Sequence, residues 1–256
     1  MFETLLNQSK ILDQLGGVWV LALLVFTRCI AFSSTAPLLG HKSIPSLARV
    51  AFSIMLTLMI FPLLETPNVF PKGFNFVFLI AMNVFIGMMI GWVANLVIEI
   101  AKTAGEMLDM QLGLQSATMF DPGSQSQTTI IGKFFDVIAL TLFISIGGIE
   151  KVIEGFYKSY QVFPIILYHF DINYLKLFKS AGDLISISFL IVSPIIVIVL
   201  SVDLILGLMS RAAPQINAFQ ISFSIKPTVG LVLILILLPA IFQVFAALFS
   251  NPFRFW

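Results

Sequence analysis

The chain alternates between long apolar runs and shorter polar breaks. A membrane-spanning helix needs about 20 mostly apolar residues, and several runs approach or exceed that length. They cover about residues 18–36, 47–64, 74–100, 130–149, 183–206 and 228–249. This pattern predicts an all-α integral membrane protein with about six apolar helical segments.

Polar and turn-forming residues define the breaks between these runs. The third break is predicted at about residues 103–129, and the fourth, the most charged section, at 150–182. A residue before proline avoids the helical region, and the fifth break holds Arg211, Ala213-Pro214 and Lys226-Pro227. Pro194 and Pro239 lie inside the last two apolar runs, where they predict kinked or broken helices.

The composition agrees with a membrane protein. The chain is 59% hydrophobic and 11% charged, whereas a soluble domain has roughly 45–50% apolar and about 25% charged residues. The single cysteine, Cys29, excludes internal disulfides, and the two histidines, His41 and His169, lie far apart. We therefore expect no metal or other cofactor. The net charge of +1 and the lack of basic runs indicate no nucleic-acid partner.

Ionisable residues lie within or at the ends of the apolar runs. Each would cost a few kcal/mol in lipid unless it met protein or water, so we expect these helices to face protein on several sides. Glu99 and Lys102 are three residues apart and could pair on one helix face, as could Lys133 and Asp136. Lys and Arg divide seven against five between the two sides of a six-span topology, which leaves the orientation open.

Motifs of common hydrolases and of nucleotide binding are absent from the sequence. Asp136 and Asp203 lie inside separate apolar runs and could form an aspartyl protease pair. Their plainer role is to pair with Arg28, Lys133 or Arg211. We therefore expect no enzymatic activity. A secondary transporter of a small solute or ion stays as the alternative, because transporters also use broken helices and buried charges.

Gly87 and Gly91 are four residues apart in an apolar run, a spacing that permits close contact between helices. We interpret this pair as a packing face inside one helical bundle, in preference to a subunit interface.

Motifs along the whole chain carry a family resemblance. The N-terminal part has Arg28, STAPLLG and IPSLAR; the centre reads TAGEMLDMQLGLQSATMFDPGSQSQ; the C-terminal part reads VDLILGLMSRAAPQINAF before IKPTVG. In combination they resemble the family of the flagellar biosynthetic protein FliR and its counterpart in virulence type III secretion. STAPLLG and DPGSQ favour the flagellar branch, although Gly147-Gly148 and Lys158-Ser159-Tyr160 read more like virulence-type members.

The resemblance implies a non-enzymatic subunit of the export gate, the channel that conducts unfolded export substrates. Such a chain would lie in the lipid of the bacterial inner membrane at the flagellar basal body. It would form helical hairpins, with broken or kinked helices, in a larger helical assembly with FliP-type and FliQ-type subunits and further export-apparatus membrane proteins. Residues 1–180 would correspond to a FliP-type subunit, and residues 181–256 to a FliQ-type hairpin.

The resemblance also assigns the polar stretch at residues 112–127 as a plug in the channel. Its Gly and Pro residues end a helix, its Ser, Thr and Gln residues bind water without fixed charge, and its apolar side chains could exclude water. The candidate plug or gate residues are Met110, Leu112, Gly113, Leu114, Met119, Phe120, Asp121, Pro122, Gly123, Ser124 and Gln125.

We expect a second set of residues to make buried or interface polar contacts. Its members are ionisable or amide side chains in the apolar runs or in the resembling motifs. They are Arg28, Arg49, Lys133, Asp136, Asp203, Arg211, Gln215 and Asn217.

Overall fold

The structure is a computed structural model, which describes residues 2–40, 44–64, 74–115, 129–166, 174–215 and 217–250. These residues are mostly helical, and none of them forms a strand. The elements in chain order are α1 (Phe2–Thr35), α2 (Ser46–Ile60), a 3₁₀ helix (Phe61–Leu63), α3 (Phe74–Leu112), α4 (Ile130–Ser145), α5 (Gly148–Val162), α6 (Tyr174–Ala212) and α7 (Ala218–Phe249).

Several helical segments are long and apolar enough to cross a membrane. Among the described residues there are 5 of them: Gly17–Thr35, Ser46–Leu63, Asn75–Leu112, Gly182–Ala212 and Ala218–Phe249. The number rises to 6 if α4 and α5, which are bent at the break between them, form one broken span. The prediction of an all-α membrane protein is confirmed.

α3 is longer than the apolar pattern predicts. The predicted break begins at about residue 103, whereas α3 continues to Leu112. The prediction is wrong at Gly105, because this glycine serves a close helix contact and not a turn. A Cβ atom on Gly105 would lie 2.7 Å from Cα of Gly132.

The fifth break is shorter than predicted. α7 begins at Ala218, so Lys226 and Pro227 lie inside a helix. Membrane helices tolerate proline where a Ser or Thr side chain satisfies backbone groups that the proline leaves free. Pro227 deprives the Phe223 carbonyl of its helical donor, and at the next carbonyl, that of Ser224, the Thr228 hydroxyl donates a hydrogen bond at 2.8 Å.

α5 occupies the first part of the section predicted as the fourth break. Gly147, with a φ of 76°, separates it from α4. Val152 and Phe156 are buried on one face of α5, while Glu154 and Lys158 are exposed on the other. Fixed charges on that second face break up the apolar run, which is why the sequence pattern misses this helix.

The chain divides into two compact units. The first comprises Met1–Asn95 and Glu150–Ile172, and the second Leu96–Ile149 and Asn173–Trp256. α3 therefore contributes residues to both units. The predicted boundary between residues 180 and 181 lies inside α6, and the correspondence of the two parts to FliP-type and FliQ-type subunits stays a prediction.

In the first unit, α1 packs against α2, α3 and α5. The ring of Phe32 on α1 stacks on that of Phe156 on α5, with 4.1 Å between the centroids. A Cβ atom on Gly91 of α3 would lie 2.8 Å from the Phe32 carbonyl oxygen and 2.9 Å from the Ala36 nitrogen, and one on Gly87 would collide with the Arg28 carbonyl. The interpretation of these glycines as an internal packing face is confirmed.

In the second unit, α4 packs on α7 through aromatic rings. Phe135 meets Phe245 edge to face with 6.1 Å between centroids, and Phe143 meets Phe249 in the same way at 5.8 Å. Burying each such side chain contributes roughly 1.5–3 kcal/mol. The Ser188 hydroxyl of α6 donates to the Ile100 carbonyl of α3 at 2.9 Å. Through these contacts α4 packs on α7, and α6 packs on α3.

Candidate functional site

A carboxylate in α3 binds the start of α4. The backbone N–H groups of Ile131 and Gly132 donate to Oδ2 of Asp109 at 2.8 and 2.9 Å. The first N–H groups of a helix lack partners within the helix, and the N-cap residue, Thr129, makes no side-chain cap hydrogen bond here. Asp109 therefore caps α4 from a different helix. Its carboxylate also lies at the N-terminus of α4, where the helix dipole favours a negative group.

The same residue fixes the end of α3. Gly113 has a φ of 74°, which favours glycine, and its N–H donates to the Met110 carbonyl at 3.3 Å. The Leu114 N–H donates to the Asp109 carbonyl at 3.0 Å. This pair of hydrogen bonds is a Schellman motif, which ends a helix at glycine. Asp109 thus holds both chain ends that border residues 116–128, by its carbonyl on one side and its carboxylate on the other.

Glycines let the helices approach closely around this contact. Gly105 lies one turn before Asp109 on the same face of α3, and a Cβ atom there would be 2.7 Å from both Cα of Gly132 and the Ile131 carbonyl oxygen. One turn after Asp109, the Leu112 side chain fills the space that a Cβ atom on Gly230 of α7 would need. One stripe of α3 is therefore packed against α4 and α7. We call this arrangement, centred on Asp109, the α3–α4 junction.

The Asp109 carboxylate is compensated by backbone groups. It is 0% exposed, and it makes no salt bridge among the described residues. Its Oδ1 atom and the buried Thr129 hydroxyl also have no hydrogen-bond partner there. A buried carboxylate without hydrogen bonds is costly, so the two N–H groups of α4 stabilise the Asp109 side chain at this position.

The predicted plug residues divide between the junction and the chain outside the described residues. Met110 is 66% exposed, Leu112 is 2% exposed, and Leu114 is half-buried. The remaining candidates lie outside the described residues: Met119, Phe120, Asp121, Pro122, Gly123, Ser124 and Gln125. The structure therefore describes the base of the predicted plug.

A second buried polar site lies in the first unit, around Arg28 on α1. Arg28 is 0% exposed. Its Nε atom donates to Oδ1 of Asn83 on α3 at 2.9 Å, and its Nη1 atom donates to the Phe163 carbonyl at 2.8 Å. The Asn83 side chain in turn donates to the Ile165 carbonyl at 3.1 Å. Two side chains therefore hold the carbonyls that follow α5.

No carboxylate pairs with Arg28 among the described residues. Its charge instead faces the carbonyl of Phe163, directly after the C-terminus of α5, which is the negative end of the helix dipole. The guanidinium carbon also lies 4.4 Å from the centroid of the Tyr160 ring, a cation–π arrangement. The negative end of the α5 dipole and the Tyr160 ring therefore stabilise the Arg28 guanidinium in place of a carboxylate.

Comparison with known proteins identifies the family of the chain. Residues 19–251 match the family described as bacterial export proteins, family 1. The chain belongs to this family. It is 32% identical over 228 residues to the flagellar biosynthetic protein FliR of Escherichia coli, covering 89% of the chain and 87% of that protein. The corresponding protein of Bacillus subtilis is 28% identical over 232 residues, with 89% and 90% covered.

A relative named for a secretion system is similar to the same extent. The secretion system apparatus protein SsaT of Salmonella typhimurium is 30% identical over 232 residues, covering 86% of the chain and 88% of that protein. The predicted membership in the FliR family is confirmed. The chain is thus a component of a type III export apparatus, and its relatives occur in both flagellar and secretion systems.

The structure also places the other polar residues that the sequence predicts to make buried or interface contacts. Asp203 pairs with Lys226, whose Nζ atom lies 2.6 Å from its Oδ1 atom. The expectation of Arg28, Lys133 or Arg211 as its partner is therefore wrong. Lys226 was assigned to a turn by the sequence pattern, whereas its position in α7 brings it to α6.

The remaining candidates lie nearer the surface. Arg49 is half-buried and donates from Nη2 to the Ile44 carbonyl at 3.2 Å. The Asn217 side chain caps α7 by accepting a hydrogen bond from the Gln220 N–H at 3.3 Å. Asp136 is half-buried, and the exposed candidates are Lys133, Arg211, Gln215 and Asn217. The predicted Glu99–Lys102 contact is confirmed at 3.4 Å.

Two residues of these sites were missing from the predicted set. Asp109 stands in the central motif, and a carboxylate near the C-terminus of a helix is unfavourable for the helix dipole unless something else binds it. Asn83 is an amide within a long apolar run. A carboxylate at a helix C-terminus and an amide in an apolar run are both locally unfavourable. These two features are the sequence signals that could have identified Asp109 and Asn83. No group of three His, Cys, Asp or Glu side chains converges as a metal site in the part of the chain that the structure describes.

Proposed function

We propose that the chain is a non-enzymatic subunit of the protein-conducting export gate of the flagellar type III secretion system. The polar stretch at residues 112–127 would act as the plug of its channel. The observation that carries this proposal is the α3–α4 junction. There one residue, Asp109, binds the chain before a stretch too polar for lipid through its carbonyl and the chain after it through its carboxylate. A plug needs such an anchored base, because otherwise its ends would drift apart whenever substrate displaced it.

The chemistry of the stretch supports this role. It has a single ionisable residue, Asp121, so its displacement would break few ion pairs. Leu112 is buried against α7, and Leu114, two residues later in the chain, is half-buried. Apolar side chains at a constriction can block ions by excluding water.

The proposed partners are FliP-type and FliQ-type membrane subunits, with further export-apparatus membrane proteins around them. Residues 1–180 would take the FliP-like position, and 181–256 the FliQ-like hairpin. Large apolar side chains on both helices of this hairpin are exposed in the isolated chain, among them Leu204, Leu208, Phe219 and Leu235. Lipid and neighbouring subunits would cover them in the assembly. The relatives named for flagellar biosynthesis support a flagellar location, and we propose the inner membrane at the flagellar basal body.

The first experiment tests assembly. The chain would be produced together with the two small subunits in mild detergent, and the mass of the intact complex measured. A discrete complex with one copy of this chain and several copies of each partner is the expected result. A lone chain that binds a small solute or ion with saturation would contradict the proposal and favour a secondary transporter.

The second experiment tests the plug. Deletion of residues 115–127 should raise the leak of small ions through membranes that contain the complex, while part of the protein export persists. The matched control is Lys158→Ala, which removes an exposed ion pair with Glu154, with 2.6 Å between Nζ and Oε1. Unchanged ion permeability in the deletion variant would remove the plug role.

A further inference from the structure

In the first unit, α1, α2 and α3 each contain a segment that is apolar enough to span a membrane. On α1 this segment is Gly17–Thr35, and Arg28 stands near its middle. Gly87 of α3 lies against the Arg28 carbonyl, and the Ser53 hydroxyl of α2 donates to the Ser33 hydroxyl at 3.0 Å. These contacts define the depth of α2 and α3 relative to α1.

Exposed tryptophans lie at both ends of this group of helices. Trp19 is 74% exposed near the start of the α1 segment, and Trp92 is 39% exposed directly after Gly91, which contacts Thr35 at the end of the segment. Tryptophan is enriched at both membrane–water interfaces. The helix from Trp19 to Thr35 is about 24 Å long, close to the roughly 30 Å of a hydrocarbon core. Arg28 therefore lies near the middle of a bilayer.

α5 ends at the depth of Arg28. It runs antiparallel to α1, because its Phe156 ring stacks on Phe32 whereas its Tyr160 ring, one turn later, lies against the Arg28 guanidinium. The helix ends two residues after Tyr160, and residues 163–166 are not helical. Non-helical backbone at membrane depth is tolerated only where protein buries it or where it lines a water-filled cavity.

The face of α5 that points away from α1 is polar down to this depth. It comprises exposed residues about one helical turn apart: Glu150, Glu154, Lys158 and Gln161. Each charge in this set would cost a few kcal/mol in lipid. Lipid is therefore an unsuitable cover for this side of the unit.

α2 differs from α5 at the same depth. It runs antiparallel to α1, so Leu58, five residues after Ser53, lies level with Arg28, five residues before Ser33. Leu58 is 71% exposed, and its exposed neighbour Met55 is also apolar. Lipid can cover α2 at a depth where it cannot cover α5.

We infer that the polar face of α5 borders water inside the membrane and forms one wall of the path that export substrate takes through the gate. This inference rests on the proposed function and adds a wall of the path to it. A partner subunit is a less suitable cover, since Lys and Glu are depleted at the cores of protein interfaces. Glu154 and Lys158 also neutralise each other, with 2.6 Å between Oε1 and Nζ, so they need no charge from a partner.

Thiol modification of single cysteines tests this inference. The full-length chain, in complex with its partner subunits in membrane vesicles of both orientations, would carry Cys29→Ala together with Gln161→Cys, Val162→Cys or the control Leu58→Cys. All three positions are exposed in the chain, and Val162 lies one turn after Lys158 on the same face. A charged, membrane-impermeant maleimide needs a thiolate in water, so both α5 variants should react at least about tenfold faster than Leu58→Cys.

Slow modification of both α5 variants in an intact complex would overturn the inference. Fast modification of the isolated chain in detergent that is lost on assembly would also overturn it, because a partner subunit would then cover α5. Equally fast modification of Leu58→Cys would remove the assigned depth and the inference with it. The mass of the same complex tests the proposed function separately: without a complex both fail, whereas an intact complex with unreactive α5 variants removes this inference alone.

Discussion

Lys226 of α7 and Asp203 of α6 form an ion pair between two segments that are apolar enough to span a membrane. The Nζ and Oδ1 atoms lie 2.6 Å apart, and the two side chains are 20% and 35% exposed. Each of these charges is costly in lipid without the other. The ion pair therefore both stabilises the hairpin and favours one relative orientation of its two helices. The pair therefore sets which faces of the α6–α7 hairpin meet.

Lys226→Met should destabilise the chain, because it leaves the Asp203 carboxylate among apolar side chains. Loss of one partner of a fully buried pair costs roughly 3–5 kcal/mol. Partial exposure lowers the expected cost here to about 1–3 kcal/mol. The measurement is thermal unfolding of the purified chain in detergent.

The double variant Lys226→Met with Asp203→Leu is the matched control for this pair. It removes both charges, so it should be more stable than Lys226→Met alone. If the two single changes proved additive, the ion pair would have no measurable role in the hairpin.

Arg28→Lys should destabilise the first unit despite keeping the charge. A lysine ammonium cannot reach both the Asn83 side chain and the Phe163 carbonyl in the planar geometry of the guanidinium. Loss of one hydrogen bond of a charged group costs about 1.5–3 kcal/mol. The thermal midpoint in detergent would measure it, with the exposed Arg211→Lys as a control expected to stay within about 0.5 kcal/mol. Equal midpoints for both variants would contradict the assigned role of Arg28.

Gly91→Ala should force α1 away from α3. The new Cβ atom would lie 2.8 Å from the Phe32 carbonyl oxygen and 2.9 Å from the Ala36 nitrogen, and such overpacking costs about 1–3 kcal/mol. The control is Gly207→Ala in α6, where a Cβ atom would meet nothing within 4 Å. There alanine should stabilise the helix by up to about 1 kcal/mol. Thermal unfolding of the two variants should therefore shift in opposite directions.

Arg211→Ala should weaken assembly more than it weakens the isolated chain. The side chain is exposed in the last turn of α6, where a cation contributes at most about 1 kcal/mol through the helix dipole. We expect a lower yield of the complex with the partner subunits and a nearly unchanged unfolding midpoint for the chain alone. Normal complex yield would count against Arg211 as an interface residue.

Local patterns in the sequence predict most of the helices because burial in lipid requires long apolar runs. They fail where one side chain serves a distant contact. Gly105 looks like a helix breaker, yet it allows the backbone of α4 to approach α3. Lys226-Pro227 looks like a turn, yet Lys226 pairs with Asp203 from inside α7. In both cases a tertiary contact outweighs the low helix propensity of glycine or proline, which amounts to at most about 3 kcal/mol.

The sequence by itself determined the membrane character, the helical class and the family of this protein, because these depend on the length of apolar runs and on motifs within short stretches. The tertiary structure decided which polar groups meet. Arg28 finds Asn83 at a separation of 55 residues, and Asp109 finds the start of α4 22 residues further along the chain. Hydrophobic periodicity carries no information about such partners, since many pairings are compatible with the same apolar pattern and only the packing of the helices selects one.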